Sequence, residues 1–128
     1  MYHGWADEAI PALNAIDFYN SVRKTLGPDA TGEMVRLYMV PGMGHCGGGP
    51  GANQFGQAGV AHADPQHDID AALEIWVEKG TAPGTIIASK VDKGKVIRTH
   101  PLCPWPAVAK WKGTGSADEA ENYTCSAP

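Results

Sequence analysis

His45 and Asp7 are the residues of this 128-residue chain whose surroundings suit proton chemistry. His45 lies in LYMVPGMGHCGGGPG, residues 37–51, which begins as an apolar run. Val35, Leu37 and Met39 alternate with Arg36, Tyr38 and Val40, as a strand requires, and Pro41-Gly42 ends the run. His45 follows within a few residues, with Cys46 beside it and glycines after it. An imidazole, with an ordinary pKa of about 6.5, can take up and return a proton near neutral pH. To act as a base it needs a carboxylate on its second nitrogen, which fixes the tautomer and stabilises the imidazolium. Asp7, on the turn HGWAD, is the candidate. A strand–helix–strand unit with parallel strands brings the two turns that follow its strands to one sheet edge. The plainer readings are a surface-loop histidine and an aspartate that caps a helix.

The elements that must position this pair can be read in order. Residues 1–7 read as the end of a strand and a tight turn. Helical spacing of Ile10, Leu13, Ile16, Phe18, Tyr19 and Val22 predicts an amphipathic helix over 8–26, capped by Asp7 or starting at Pro11, its aromatic positions in the core. Gly27-Pro28 stops it, and residues 29–33 read as a polar loop. A second helix is expected from Asp64-Pro65 to Lys79-Gly80, with Ile69, Ala72, Leu73, Ile75 and Trp76 on its apolar face and Asp68, Asp70, Glu74 and Glu78 solvated. Residues 85–91 and 95–98 form a hairpin around Asp92-Lys93-Gly94. The proline-interrupted, aromatic tail from residue 101 is expected to wrap over the domain as ordered coil. The glycines of 47–56 lack the Gly-Lys-Ser/Thr ending of a phosphate loop. His62, Asp64 and His67 match no metal-site spacing, so neither metal nor cofactor is expected.

The length suits one domain. A net charge of −4 without a basic cluster argues against nucleic acid as a partner. No apolar run reaches the roughly 20 residues of a membrane-spanning helix. Met1-Tyr2-His3 leads straight into polar sequence without a signal-peptide pattern, so the chain is either cytosolic or begins downstream of such a signal. Cys103 and Cys125 fall in the irregular tail, where a disulfide would close a loop of about 20 residues and contribute on the order of 3 kcal/mol. Cys46 is then a free thiol or has its partner elsewhere; the alternative is three unpaired thiols in a reducing compartment. Asn122-Tyr123-Thr124 is a glycosylation sequon, meaningful only in a eukaryotic secretory route.

Acyl transfer through this pair also requires a nucleophile, usually serine on a Gly-x-Ser-x-Gly elbow. None of Ser21, Ser89, Ser116 and Ser126 is flanked that way. In α/β hydrolases the chain order is serine, acid, histidine, so with the acid at position 7 the serine is expected before residue 1.

HGWADEAI, LYMVPGMGHCGGGPG, ALEIWVEKGTAP and RTHPLCPWP…KWKGTGS…NYTCSAP resemble the C-terminal part of the tannase/feruloyl esterase family, in the same order over nearly the whole chain. The resemblance implies an α/β fold, the C-terminal portion of an α/β-hydrolase fold: strand–turn–helix–strand–turn–helix, then a short hairpin and a disulfide-stapled tail. Residues 1–128 would be a single partial domain, with a sheet and helix part over 1–100 and a wrapping tail over 101–128. It implies Asp7 as triad acid and His45 as triad base of a serine carboxylesterase acting on small aromatic esters such as ferulates or gallates. It implies a bridge between Cys103 and Cys125, and for Cys46 a partner cysteine beside the serine upstream. The nucleophile elbow, oxyanion-hole loop and lid of that family have no counterpart here, so an upstream segment of the same enzyme, or a second copy of the chain, is the expected partner. Resemblance and cysteine use together imply a secreted or periplasmic protein. Two other readings stand beside this one: a self-contained small esterase with Ser89, Ser116 or Cys46 as nucleophile, and a non-catalytic binding or structural module.

Overall fold

The computed structural model describes residues 1–57, 59 and 64–128. Strands β1 (Tyr2–Gly4) and β2 (Tyr38–Val40) pair in parallel, Tyr2 opposite Tyr38 and Gly4 opposite Val40, and two helices make the connection between them. Parallel strands are covered on both faces, and β2 fits this rule. Tyr38 and Val40 enter one core cluster with Met43, Phe55, Ala72, Ile86 and Leu102, whereas Leu37 and Met39 enter another with Ile16 and Tyr19.

Helix α1 (Ala12–Leu26) starts after Pro11 rather than at Glu8, because the Asp7 side chain holds residues 9 and 10 in a turn of their own. Ala12, Ala15, Ile16 and Tyr19 share the inward face, while Leu13 and Phe18 lie off it and are exposed. Phe18 is therefore not a core residue. Residues 29–33 are not a loop. They belong to a second helix, α2 (Pro28–Met34), with Pro28 in its first turn and the Thr31 hydroxyl donating to the Gly27 carbonyl.

Helix α3 (Ile69–Lys79) begins later than its composition suggests. Asp64 makes a separate turn, its Oδ1 accepting from the Gln66 amide, and Asp68 caps the helix by accepting from the Asp70 and Ala71 amides. Asp68 is thus buried, not solvated, and packs against Gly56, where a Cβ would lie 2.3 Å from its Oδ1. The hairpin of β3 (Ile86–Asp92) and β4 (Lys95–Leu102) turns through Lys93 and Gly94, both at positive φ, the geometry of a type I′ turn. Strand β4 continues well beyond residue 98. The tail is more regular than coil: β5 (Val108–Trp111) and β6 (Tyr123–Ser126) form an antiparallel ladder, and a disulfide joins Cys103 to Cys125 across a Cα separation of 5.6 Å.

Candidate functional site

Two turns, one after β1 and one after β2, meet at the same end of the parallel pair. The Trp5 amide donates to the Val40 carbonyl (3.0 Å) and the Ala6 amide to the Met43 carbonyl (2.9 Å), stitching the turns backbone to backbone. Gly4 permits this approach, since a Cβ there would lie 2.2 Å from the Met43 oxygen and 2.5 Å from that of Gly44. The segment 41–51 is closed by the Gly51 amide donating to the Gly42 carbonyl. Asn53, 7% exposed, donates through one amide nitrogen to the carbonyls of Gly48 (2.8 Å), Gly49 (3.1 Å) and Gly51 (3.1 Å). Lys90 Nζ reaches the Gly49 carbonyl from β3.

Within this frame the two turns bring Asp7 and His45 together: Nδ1 of His45 lies 3.0 Å from Oδ2 of Asp7. The other carboxylate oxygen, Oδ1, accepts from the amides of Ala9 and Ile10, both at 2.9 Å. The Ile10 amide most of all, with the His45 ring and the Ala9 amide, holds the Asp7 carboxyl below the ordinary carboxylate range, against the opposing effect of desolvation. An ionised carboxylate only accepts, so the hydrogen of this bond belongs to His45 Nδ1. The Nε2 lone pair is then left to take a proton, on a side chain that is 52% exposed while that of Asp7 is 3% exposed. The loop-capping role and the histidine partnership of Asp7 therefore coexist, one oxygen to each. Trp5, on the first turn, meets Trp105 edge to face at 6.5 Å, and the two line a cleft of about 230 Å³ with Met39, Pro41 and His100.

Cys46 is an exposed free thiol in the left-handed region, φ 60°. The serines stand elsewhere: Ser21 within α1, Ser89 within β3 between Gln54 and Thr99, Ser116 accepting from the Asp118 amide, and Ser126 ending β6. His67 pairs with Asp64 at 2.7 Å, and His62 lies outside the described residues. Among the described residues no group of three or more His, Cys, Asp or Glu side chains is arranged to hold a metal ion. Sequence reasoning missed His3, whose Nε2 is 3.4 Å from Asp7 Oδ2, and also Asn53 and Lys90. Nothing local marks any of the three, since an i, i+4 spacing brings side chains together on a helix and His3 lies in a strand.

The family model described as tannase and feruloyl esterase matches residues 1–126. An uncharacterized esterase of Xanthomonas campestris pv. campestris is 45% identical, the match covering 98% of this chain and 25% of that protein. A mono(2-hydroxyethyl) terephthalate hydrolase of Piscinibacter sakaiensis is 39% identical over 100% of this chain and 19% of its own length. Among solved structures, an esterase from Aspergillus oryzae superimposes with a TM-score of 0.89 at 32% identity, covering 98% of this chain and 26% of that one. The chain thus spans a quarter or less of the length of these curated relatives.

Proposed function

The chain belongs to the tannase and feruloyl esterase family, and we propose that it is the acid- and base-bearing part of a carboxylic ester hydrolase working by a Ser-His-Asp mechanism. One observation carries the reading: Asp7 and His45, on separate turns, meet at 3.0 Å with the far imidazole nitrogen directed away from the carboxylate and the ring half exposed. In the first half-reaction His45 Nε2 takes the proton of a serine hydroxyl as its oxygen bonds the ester carbonyl carbon. The proton then passes to the departing alkoxide as the ester C–O bond breaks. In the second, water loses a proton to the same nitrogen as its oxygen bonds the acyl carbon, and that proton passes to the serine oxygen as the acyl–serine bond breaks and the acid leaves. Asp7 orients the ring and balances the imidazolium charge.

The serine comes from outside residues 1–128, from an upstream segment of the same polypeptide. Both the share of its relatives' length that the chain spans and the placement of Ser21, Ser89, Ser116 and Ser126 support this. The parallel β1–β2 pair with its helical crossover supports residues 1–128 as a single partial α/β-hydrolase domain. Aromatic esters are the proposed substrates, in line with the terephthalate hydrolase and the probable feruloyl esterase B-2 of Aspergillus terreus among its relatives. The Cys103–Cys125 disulfide supports a secreted or periplasmic location.

In the full natural polypeptide, His45→Ala and Asp7→Ala should each lower turnover of methyl ferulate by on the order of 10⁴-fold. A fluorophosphonate probe should label a serine outside these 128 residues. Undiminished turnover in either variant, or a label on Ser89 or Ser116, would overturn the proposal.

A further inference from the structure

We propose that His3 is a positioning residue for the Asp7–His45 pair, fixing the Asp7 carboxylate where His45 meets it. This rests on the reading of those two residues as acid and base. His3 is in β1, opposite Met39, with its side chain 14% exposed. Its Nε2 lies 3.1 Å from the Ile10 carbonyl oxygen and 3.4 Å from Asp7 Oδ2. A carbonyl oxygen only accepts, so Nε2 carries a hydrogen whatever the charge of the ring.

The surroundings of Asp7 then follow from its lone pairs. An ionised carboxylate offers about four acceptor sites. Oδ1 takes the Ala9 and Ile10 amides, and Oδ2 takes His45 Nδ1 and faces His3 Nε2. The two amides hold Oδ1, and because both oxygens turn together about the Cβ–Cγ bond, the same turn also places Oδ2. His3 acts on that turn at its Ile10 end: its one Nε2 hydrogen goes to the Ile10 carbonyl at 3.1 Å, and Oδ2 lies 3.4 Å from the same nitrogen. His3 also closes a ring: Ile10 donates its amide to Asp7, Asp7 faces His3, and His3 donates to the Ile10 carbonyl. Removing the imidazole releases the carboxylate and the turn together, and His45 then loses the fixed acceptor that holds its hydrogen on Nδ1.

The test reads the tautomer of His45 by two-bond ¹H–¹⁵N correlation spectra of the 128-residue chain at a pH where its ring is neutral. Four forms are compared: wild type, His3→Ala, His3→Gln and His3→Asn. The glutamine amide nitrogen can occupy the place of Nε2, whereas that of asparagine falls short, near Nδ1. The expected result is the Nδ1–H pattern at His45 in wild type and His3→Gln, and a shift toward Nε2–H in His3→Ala and His3→Asn. Retention of the Nδ1–H pattern in all four overturns the proposal, as does failure of His3→Gln to differ from His3→Asn. Should His3→Ala not fold, the glutamine and asparagine variants decide the matter. No substrate enters the measurement. Full turnover in His45→Ala would therefore remove the esterase reading and leave the tautomer result standing. In the full natural polypeptide His3→Asn should lower kcat with KM unchanged, and His3→Gln should restore it.

Discussion

Substituting Gly4 by alanine should separate the two turns that carry Asp7 and His45. A Cβ at this position would lie 2.2 Å from the Met43 carbonyl oxygen and 2.7 Å from its carbon, both backbone atoms that cannot rotate away. Ordinary contact begins near 3.4 Å, so the turns must part by about 1.2 Å. The Asp7–His45 bond is 3.0 Å, and a displacement of that size along it exceeds the reach of a hydrogen bond. The Ala6 amide, 2.9 Å from the same Met43 oxygen, would be pulled away with it. Forcing one methyl group into packed backbone costs about 1–3 kcal/mol. Gly4→Ala should therefore lower the unfolding free energy by roughly that amount in a urea titration. It should also remove the Nδ1–H signature of His45 in the population that remains folded. The control is Gly47→Ala in the second turn, where an added Cβ meets nothing within 4 Å; its stability should stay within about 0.5 kcal/mol of wild type. Equal stability of Gly4→Ala and Gly47→Ala, with the His45 tautomer intact in both, would refute the claim that the close approach at Gly4 holds the site together.

Removing the disulfide, as Cys103→Ser with Cys125→Ser, frees a loop of sequence separation 22 and should lower unfolding free energy by about 3 kcal/mol in denaturant titration. A loss below about 1 kcal/mol would show instead that the β5–β6 ladder holds the tail without the bridge. At alkaline pH the buried phenol of Tyr38 becomes limiting. Burial, partly offset by Arg36, raises its pKa to about 12, and its hydroxyl donates to the Gly84 carbonyl at 2.7 Å. A folded-state pKa above the unfolded value of about 10 means stability that is complete below pH 10 and is lost as the pH climbs through 12. Tyr38→Phe should cost about 1 kcal/mol at neutral pH and show a flatter decline over that window. An unchanged alkaline slope in this variant would assign the decline to other groups.

What could be read from the sequence was whatever its signals encode locally. Pro41-Gly42 after an alternating apolar run placed the turn that holds His45, and HGWAD placed the turn that holds Asp7. A strand–helix–strand order then required the parallel pairing that β1 and β2 adopt. Most of the misses depend on a partner distant in sequence; the helix over 28–34, whose signals are local, is the exception. The polar residues 29–33 looked like loop because their helix is set by Pro28 and by the Thr31 hydroxyl on Gly27. Asp68 looked solvated because the approach of Gly56 lies outside its own helix. The β5–β6 ladder was hidden by Pro101, Pro104 and Pro106, and by a pairing in which Cys125 sits opposite Ala109. Within the site, Asn53 gave no periodic or motif signal, although its single amide gathers three carbonyls of the glycine-rich segment.

The division of the Asp7 carboxylate into one oxygen for its own turn and one for His45 means that charge and shape can be separated at this position. Asp7→Asn can retain an oxygen for the Ala9 and Ile10 amides, so the turn keeps its geometry. The amide nitrogen that replaces Oδ2 then presents hydrogens to His45 Nδ1 and drives the ring to the opposite tautomer. Asp7→Ala removes both functions at once. The asparagine form is therefore an electrostatic switch on an unchanged scaffold, and the difference between the two variants measures how much of Asp7's contribution is architecture.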